Sequence, residues 1–245
     1  MAAVELADGT RVVVTGASRG IGATIADAFE ARGCTVGRVS RSGALAADVA
    51  DRESIAGAIE GFGAVDVLVA NAGIAHYMPF TEMPTETIEQ LTQVNWLGTV
   101  YTVQAALPGM LERGRGHIVI VSSGAGIRSF PGAAVYGATK AAQRGFGEAL
   151  RHELKGTGVG LTMVYPGQIR SALHDHEKER MPDWYKLERG VPPEPLAQAV
   201  VEAVEKDKRE LFHPSNVRLL RIAHGLKPAL ADALLRRIMH RSAAP

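Results

Sequence analysis

One pattern restricts the fold more than any other: short β-branched runs recur along the chain, each followed by a longer segment of helical period. Strand-like runs lie at Arg11–Thr15, Thr35–Val39, Leu45–Asp48, Asp66–Ala70, His117–Ser122, Val159–Tyr165 and Glu210–His213. Helical periods fall between them at Gly20–Ala31, Arg52–Glu60, Thr85–Leu111, Val135–Leu154 and Pro195–Glu205. Strands alternating with helices build βαβ units. Nearly continuous apolar runs such as Val-Asp-Val-Leu-Val-Ala and His-Ile-Val-Ile-Val-Ser fit parallel strands covered on both faces. The expected fold is α/β and doubly wound, with a mostly parallel central sheet of about seven strands flanked by helices. Only about five residues separate the second strand from the third, too few for a covering helix. The third strand is therefore expected to be short or irregular.

With 245 residues, of which 46% are hydrophobic and 22% charged, the chain can bury one substantial core. Its formal net charge of +1 argues against a general nucleic-acid binder, which needs clustered Lys and Arg to neutralise phosphates. The one cysteine, Cys34, falls in a predicted strand and has no internal disulfide partner, which fits a buried small hydrophobe in a reducing compartment. Met1–Thr10 carries acids and lacks the basic start and apolar run of a secretory signal. Apolar runs are strand-length, well short of the ~18 residues of a spanning helix. A cytoplasmic protein is expected.

The first strand runs directly into Gly16-Ala-Ser-Arg-Gly20-Ile-Gly22 and then into a helix. Glycines at such a turn permit close backbone approach, so free N–H groups and the helix N-terminus can hold a pyrophosphate. Further on, Tyr136 and Lys140 lie four apart in a helical segment, which puts both side chains on one face. A tyrosine with a pKa near 10 is a poor base at neutral pH, but a neighbouring ammonium favours its phenolate. Ser123 stands thirteen residues before Tyr136, where a hydroxyl can hold a reacting oxygen.

The spacing Thr15-Gly16-x-x-x-Gly20-x-Gly22, followed in order by Asp48-Val49, Asn71-Ala72-Gly73, Asn95, Ser123, Tyr136-x-x-x-Lys140 and Pro166-Gly167, resembles the short-chain dehydrogenase/reductase family. The resemblance spans about residues 11 to 171 and implies a Rossmann fold that transfers a hydride between a nicotinamide dinucleotide and a carbonyl or secondary alcohol. It implies a catalytic set of Asn95, Ser123, Tyr136 and Lys140, with Tyr136 as general acid/base, its phenolate favoured by the Lys140 ammonium and an oxidised nicotinamide alike, and Ser123 favoured over Ser122. Lys140 would also bond the nicotinamide ribose, and Asn95 would mark a helix distortion that holds a water leading from Lys140 to solvent. For cofactor contacts it implies Gly16, Ser18, Arg19, Gly20, Ile21 and Gly22 at the pyrophosphate, and Asp48, Val49, Asn71, Ala72 and Gly73 around the adenosine. Tyr136, Lys140, Pro166, Gly167, Ile169 and Ser171 would surround the nicotinamide. A homodimer or homotetramer is implied as well.

The second strand ends in Ser40-Arg41 with no acid, and Arg19 sits in the nearby turn. Two guanidinium groups flanking a hydroxyl suit a 2′-phosphate, so NADP(H) is preferred over NAD(H). Residues 1–213 are read as one Rossmann-type catalytic domain, with a substrate loop at about 168–195 that contains Met181, Trp184 and Tyr185. His174-Asp-His-Glu177 is read as a solvated charge cluster rather than a metal site, and no metal is expected. Residues 214–245 form a basic amphipathic extension with six Lys or Arg and one acid. That extension either packs on the core or a second subunit, caps the substrate mouth, or touches a membrane surface peripherally. A lipophilic carbonyl or alcohol is the substrate expected. A non-catalytic NADP(H)-responsive binding or regulatory protein and a sugar-nucleotide epimerase or dehydratase are the alternatives.

Overall fold

The computed structural model describes residues 4–171, 173, 190–229 and 232–233. In chain order its elements are β1 Arg11–Thr15, α1 Gly20–Glu30, β2 Thr35–Ser40, β3 Leu45–Ala46, α2 Arg52–Phe62 and β4 Val67–Ala70. They continue with α3 Thr85–Leu91, a π-helical segment Thr92–Leu97, α4 Gly98–Arg113, β5 Gly116–Val121 and α5 Ala134–Glu153. The last are β6 Val159–Pro166, α6 Pro193–Glu205, β7 Glu210–His213 and α7 Val217–Leu226. Seven strands form one sheet in the order β3-β2-β1-β4-β5-β6-β7, every neighbouring pair parallel.

Alternation along the strands divides the core into two layers, because successive side chains point to opposite faces. Val13, Leu68, Ile118, Ile120, Leu161 and Met163 meet Ile55, Ile59, Val103, Met110 and Leu150 from α2, α4 and α5 on one face. Val12, Val14, Val67, Val69, Val119 and Val121 meet Ile25, Phe29, Leu196, Val200 and Val204 from α1 and α6 on the other. With both faces covered, the central strands have no polar side to show, which is why they carry so many consecutive apolar residues.

β3 is two residues long, pairing Leu45 with Val39 and Ala46 with Ser40. Asp48, placed by the sequence reading inside this strand, lies beyond it in the turn before α2, where its carboxylate accepts the Ala50 N–H at 2.9 Å. Asp51 caps α2 through the Glu53 and Ser54 N–H groups, at 2.9 and 3.2 Å. Cys34 is buried, but it lies just before β2 rather than within it. The long helix expected over Thr85–Leu111 extends to Arg113 and is interrupted by the π-helical turn around Asn95. Helix α6 starts two residues earlier than expected, because a proline in the first helical turn gives up no intrahelical hydrogen bond.

Candidate active site

β1 and β4 are neighbours whose connections wind away in opposite directions, so a crevice forms where they part at the carboxyl edge of the sheet. A cavity of about 760 Å³ opens there. It is lined at one end by Gly16, Ser18, Arg19, Gly20, Ile21 and Gly22, with Ser40, Arg41, Asp48 and Val49 beside them. Asn71, Ala72 and Gly73 line the middle. Ser123, Tyr136, Lys140, Pro166, Gly167, Ile169 and Ser171 line the far wall. Of the residues named from sequence, only Asn95 is absent from the lining, being fully buried behind it.

The glycine-rich turn is held down from below. Thr15 Oγ1 accepts the N–H groups of Asn71 and Ala72, both at 3.1 Å, and Asn71 Nδ2 donates to the Thr15 carbonyl at 3.0 Å. Gly16 has φ +67°, and a Cβ there would come within 2.8 Å of Ala72 Cα. At Gly22 a Cβ would overlap both the Gly16 carbonyl oxygen and the Asn71 amide. Neither position has room for a side chain. Helix α1 begins at this turn with no side-chain cap and no acid in its first turn, leaving its amide donors and positive end to the cavity. An anionic pyrophosphate fits such a cradle. Arg41 and Arg19 are both exposed on the lining, and neither makes an ion pair or hydrogen bond among the described residues. The Ser40 hydroxyl donates to the Ser42 carbonyl, closing the turn that presents Arg41.

At the far wall, Tyr136 and Lys140 share one face of α5 and are each only 4% exposed. The Ser123 hydroxyl lies close enough to Tyr136 to favour its phenolate, and the Ser123 oxygen accepts the Ala125 N–H at 3.1 Å, which leaves the hydroxyl proton turned away from that amide. Ser122 is differently employed, donating to the Lys140 carbonyl at 2.8 Å. Lys140 Nζ donates to the Val121 carbonyl at 3.2 Å and stands 5.9 Å from the centre of the Tyr136 ring. Burial pushes the phenol up to about 12, opposed by the Ser123 hydroxyl, and pushes the ammonium down to about 8. The sequence reading had the ammonium, together with an oxidised nicotinamide, favouring the phenolate. With only protein groups around it, burial dominates and Tyr136 holds its proton.

Asn95 performs its work out of sight of the cavity. Its Oδ1 accepts the Ile74 N–H at 2.8 Å, while Nδ2 donates to the Ile74 carbonyl and to Thr139 Oγ1 at 3.0 and 3.1 Å. This clasps the segment after Gly73 to the turn of α5 that carries Lys140. The Asn95 carbonyl accepts from Gln143 Nε2 and Thr99 Oγ1, both at 2.8 Å. Sequence reasoning expected the distortion, and the structure shows it, with Gln143 on the Asn95 carbonyl. Gln143 was not anticipated, because its partner is 48 residues away and nothing local marks it.

Behind Tyr136 the packing is apolar. Tyr77 meets the Tyr136 ring edge-on at 5.8 Å and Phe130 at 5.7 Å, within a cluster that includes Ile74, Met78, Ile88 and Leu173. Glu86, Glu89, Gln90 and Gln93 of the α3 and π-helical stretch line the opposite rim, and Gln93 donates to the Ala50 carbonyl at 2.7 Å. Their spacing of three, one and three is the one signal by which sequence could have placed them on a common face. The segment after Gly167 is stitched at its ends: Arg170 N–H donates to Val191 O and Val191 N–H to Gln168 O, at 2.9 and 3.0 Å. Met181, Trp184, Tyr185 and the His174–Glu177 run lie outside the described residues, as do Leu230, Leu234, Leu235, Ile238 and Met239.

A family model described as short chain dehydrogenase matches residues 10–182. The chain belongs to the short-chain dehydrogenase family. An uncharacterized oxidoreductase of Staphylococcus saprophyticus is 32% identical over 238 residues, covering 88% of this chain and 99% of that one. The glycine betaine reductase of Emericella nidulans is 36% identical over 187 residues, 67% of this chain but 15% of that much longer protein. Among solved structures, a short-chain dehydrogenase/reductase of Burkholderia phymatum in complex with NAD has a TM-score of 0.79 at 25% identity, covering 91% of this chain and 97% of its own. As a short-chain dehydrogenase relative, this chain is an oxidoreductase with the family's Rossmann sheet, of a family that binds nicotinamide cofactors.

Proposed function

We propose that this short-chain dehydrogenase interconverts a secondary alcohol and a carbonyl on a lipophilic small molecule, with NADP(H) as its redox partner and no metal. When bound, the nicotinamide supplies or accepts the hydride. In the reducing direction Tyr136 donates its phenolic proton to the carbonyl oxygen, and in the oxidising direction it takes the alcohol proton back. Ser123 donates a hydrogen bond to the same oxygen, stabilising the charge that develops there. Lys140, protonated below about pH 8, orders the tyrosine from behind its ring and would hold the nicotinamide ribose. Asn95 and Gln143 position Lys140 by clamping its helix to the Gly73 segment.

Above all, the buried Tyr136 phenol and Ser123 hydroxyl on one wall of the cavity support this reading, because a proton donor and an oxygen-binding hydroxyl stand there together. The unpaired Arg19 and Arg41, beside an acid-free end of β2, favour the 2′-phosphate of NADP(H). Ile74, Ile169 and Leu173 on the lining near Tyr136 favour an apolar substrate. We further take residues 1–213 as one catalytic domain and 214–245 as its extension, in a homodimer or homotetramer. The test is a panel of ketones and secondary alcohols followed by nicotinamide absorbance with both cofactors, with Tyr136→Phe alongside. Turnover preserved in that variant would remove the proton-transfer role. Tight NADPH binding with no turnover across the panel would favour a dinucleotide-responsive regulator instead.

A further inference from the structure

Helix α7 has two unlike faces. Inward, Val217 is buried beside Gly167, where a Cβ would come within 3.0 Å of it, and lies near Gly124. Arg221 also points in, paired with Glu210 at 2.5 Å and Glu148 at 3.4 Å and lying 5.8 Å over the Tyr165 ring. This face anchors the helix to β6, β7 and α5. Outward, Leu219, Ile222 and Leu226 are 67%, 47% and 78% exposed. Their spacing of three and four puts them in one stripe. Elsewhere among the described residues the exposed large hydrophobics are Phe80 and Leu111, far apart in sequence.

The charges around this stripe are one-sided. Arg218 stands beside Leu219 at the start of the helix and Lys227 directly follows Leu226 at its end, and both are exposed. No acid occurs from Pro214 to Ala231, and the next one, Asp232, is paired with Arg128 at 2.5 Å. An apolar stripe with a cation at each end is the pattern of a helix lying in the headgroup region of an anionic bilayer, with the basic stems reaching up to phosphates. A second copy of the chain fits less well, because a two-fold contact through this stripe brings Arg218 and Lys227 against their own counterparts.

We propose that α7 docks the protein on an anionic lipid surface. Since Val217 is seated beside Gly124 and Gly167, which flank the Ser123 wall of the cavity, docking holds the mouth of the site close to the bilayer. If the lipophilic-substrate reading above is correct, on which this consequence alone rests, substrate enters from the lipid phase.

The experiment is sedimentation of the full chain with vesicles of phosphatidylcholine alone or mixed with phosphatidylglycerol, at low and high salt. Partitioning about tenfold or more stronger on the anionic vesicles, and weakening with salt, is expected. The triple variant Leu219→Ser, Ile222→Ser, Leu226→Ser should lose binding, and Arg218→Glu with Lys227→Glu should lose the anionic preference. Unchanged circular dichroism and NADPH affinity show that both variants are folded. No partitioning, or equal partitioning of the triple variant, overturns the proposal. So does self-association in sedimentation velocity that the triple variant abolishes while vesicles bind neither protein. Binding is scored without turnover, so failure of the proposed reaction leaves this test intact.

Discussion

At the Gly16–Gly22 end the cavity is walled by main chain, whereas around Tyr136 it is walled by side chains drawn from four separate parts of the sequence. The first wall is rigid because nothing can be added to it: a Cβ at Gly16 or Gly22 meets neighbouring backbone or the Asn71 amide. The second is held from behind by aromatic contacts of Tyr77 with Phe130 and Tyr136. A pyrophosphate is the same group in every dinucleotide and is well met by amides and a helix end. A substrate differs from enzyme to enzyme, and side chains can vary where backbone cannot.

Substitutions at the two ends should therefore separate binding of the dinucleotide from chemistry. The largest effect is expected for Tyr136→Phe, which should lower kcat by ~10³-fold in steady-state assays while NADPH affinity by fluorescence titration is unchanged. A comparable loss of NADPH affinity would mean that the two ends are not independent.

Lys140→Met should sharpen the contrast through stability. Burial lowers the ammonium from its ordinary 10.5 to about 8, so the unfolded chain binds the proton more tightly than the folded one. The charged lysine then destabilises the fold fully below about pH 8, and the cost fades as pH rises to 10.5. The variant should be more stable at pH 7 by as much as ~3 kcal/mol in urea unfolding, with the gain gone above pH 10.5, while its turnover is lost. A gain that is equal at all pH values would show that packing rather than charge is responsible.

Gly22→Ala should weaken NADPH and NADH alike by about 10- to 100-fold, the equivalent of ~1–3 kcal/mol of overpacking, with KM for the substrate little altered. Equal affinity in calorimetry would break the picture of a wall made of main chain. The smallest effects are expected for Arg19→Ala and Arg41→Ala, each weakening NADPH about fivefold because both groups are exposed, and leaving NADH unaffected. Parallel losses for both cofactors would remove the 2′-phosphate role.

The legible parts of this site are those whose partners are close in sequence. The turn from β1 into α1 could be read because a strand, three glycines and a helix follow one another within a few residues. Tyr136 and Lys140 could be placed on one face by helical period alone. Their proton affinities could not: the direction of each shift is set by how deeply α5 seats them, and Tyr136 moved opposite to the effect expected of its lysine neighbour. Asn95 sits in a stretch whose helical pattern gives no sign of a π turn beyond the residue's poor propensity, and its real partners are Ile74, Thr139 and Gln143. Asp48 was named for the cavity and lines it, but from a turn rather than a strand, since β3 ends at Ala46.

Local chemistry in the sequence thus determined the alternation of strands and helices, the glycine turn and the Tyr136–Lys140 face, since each depends on residues within about one helical turn or strand of another. Tertiary structure decided what each group has beside it. It seated Gln143 on the Asn95 carbonyl, raised the Tyr136 phenol by burial, packed Tyr77 and Phe130 behind it, and turned Leu219, Ile222 and Leu226 outward. These follow from contacts between distant segments and from the dielectric they create, neither of which a linear pattern carries.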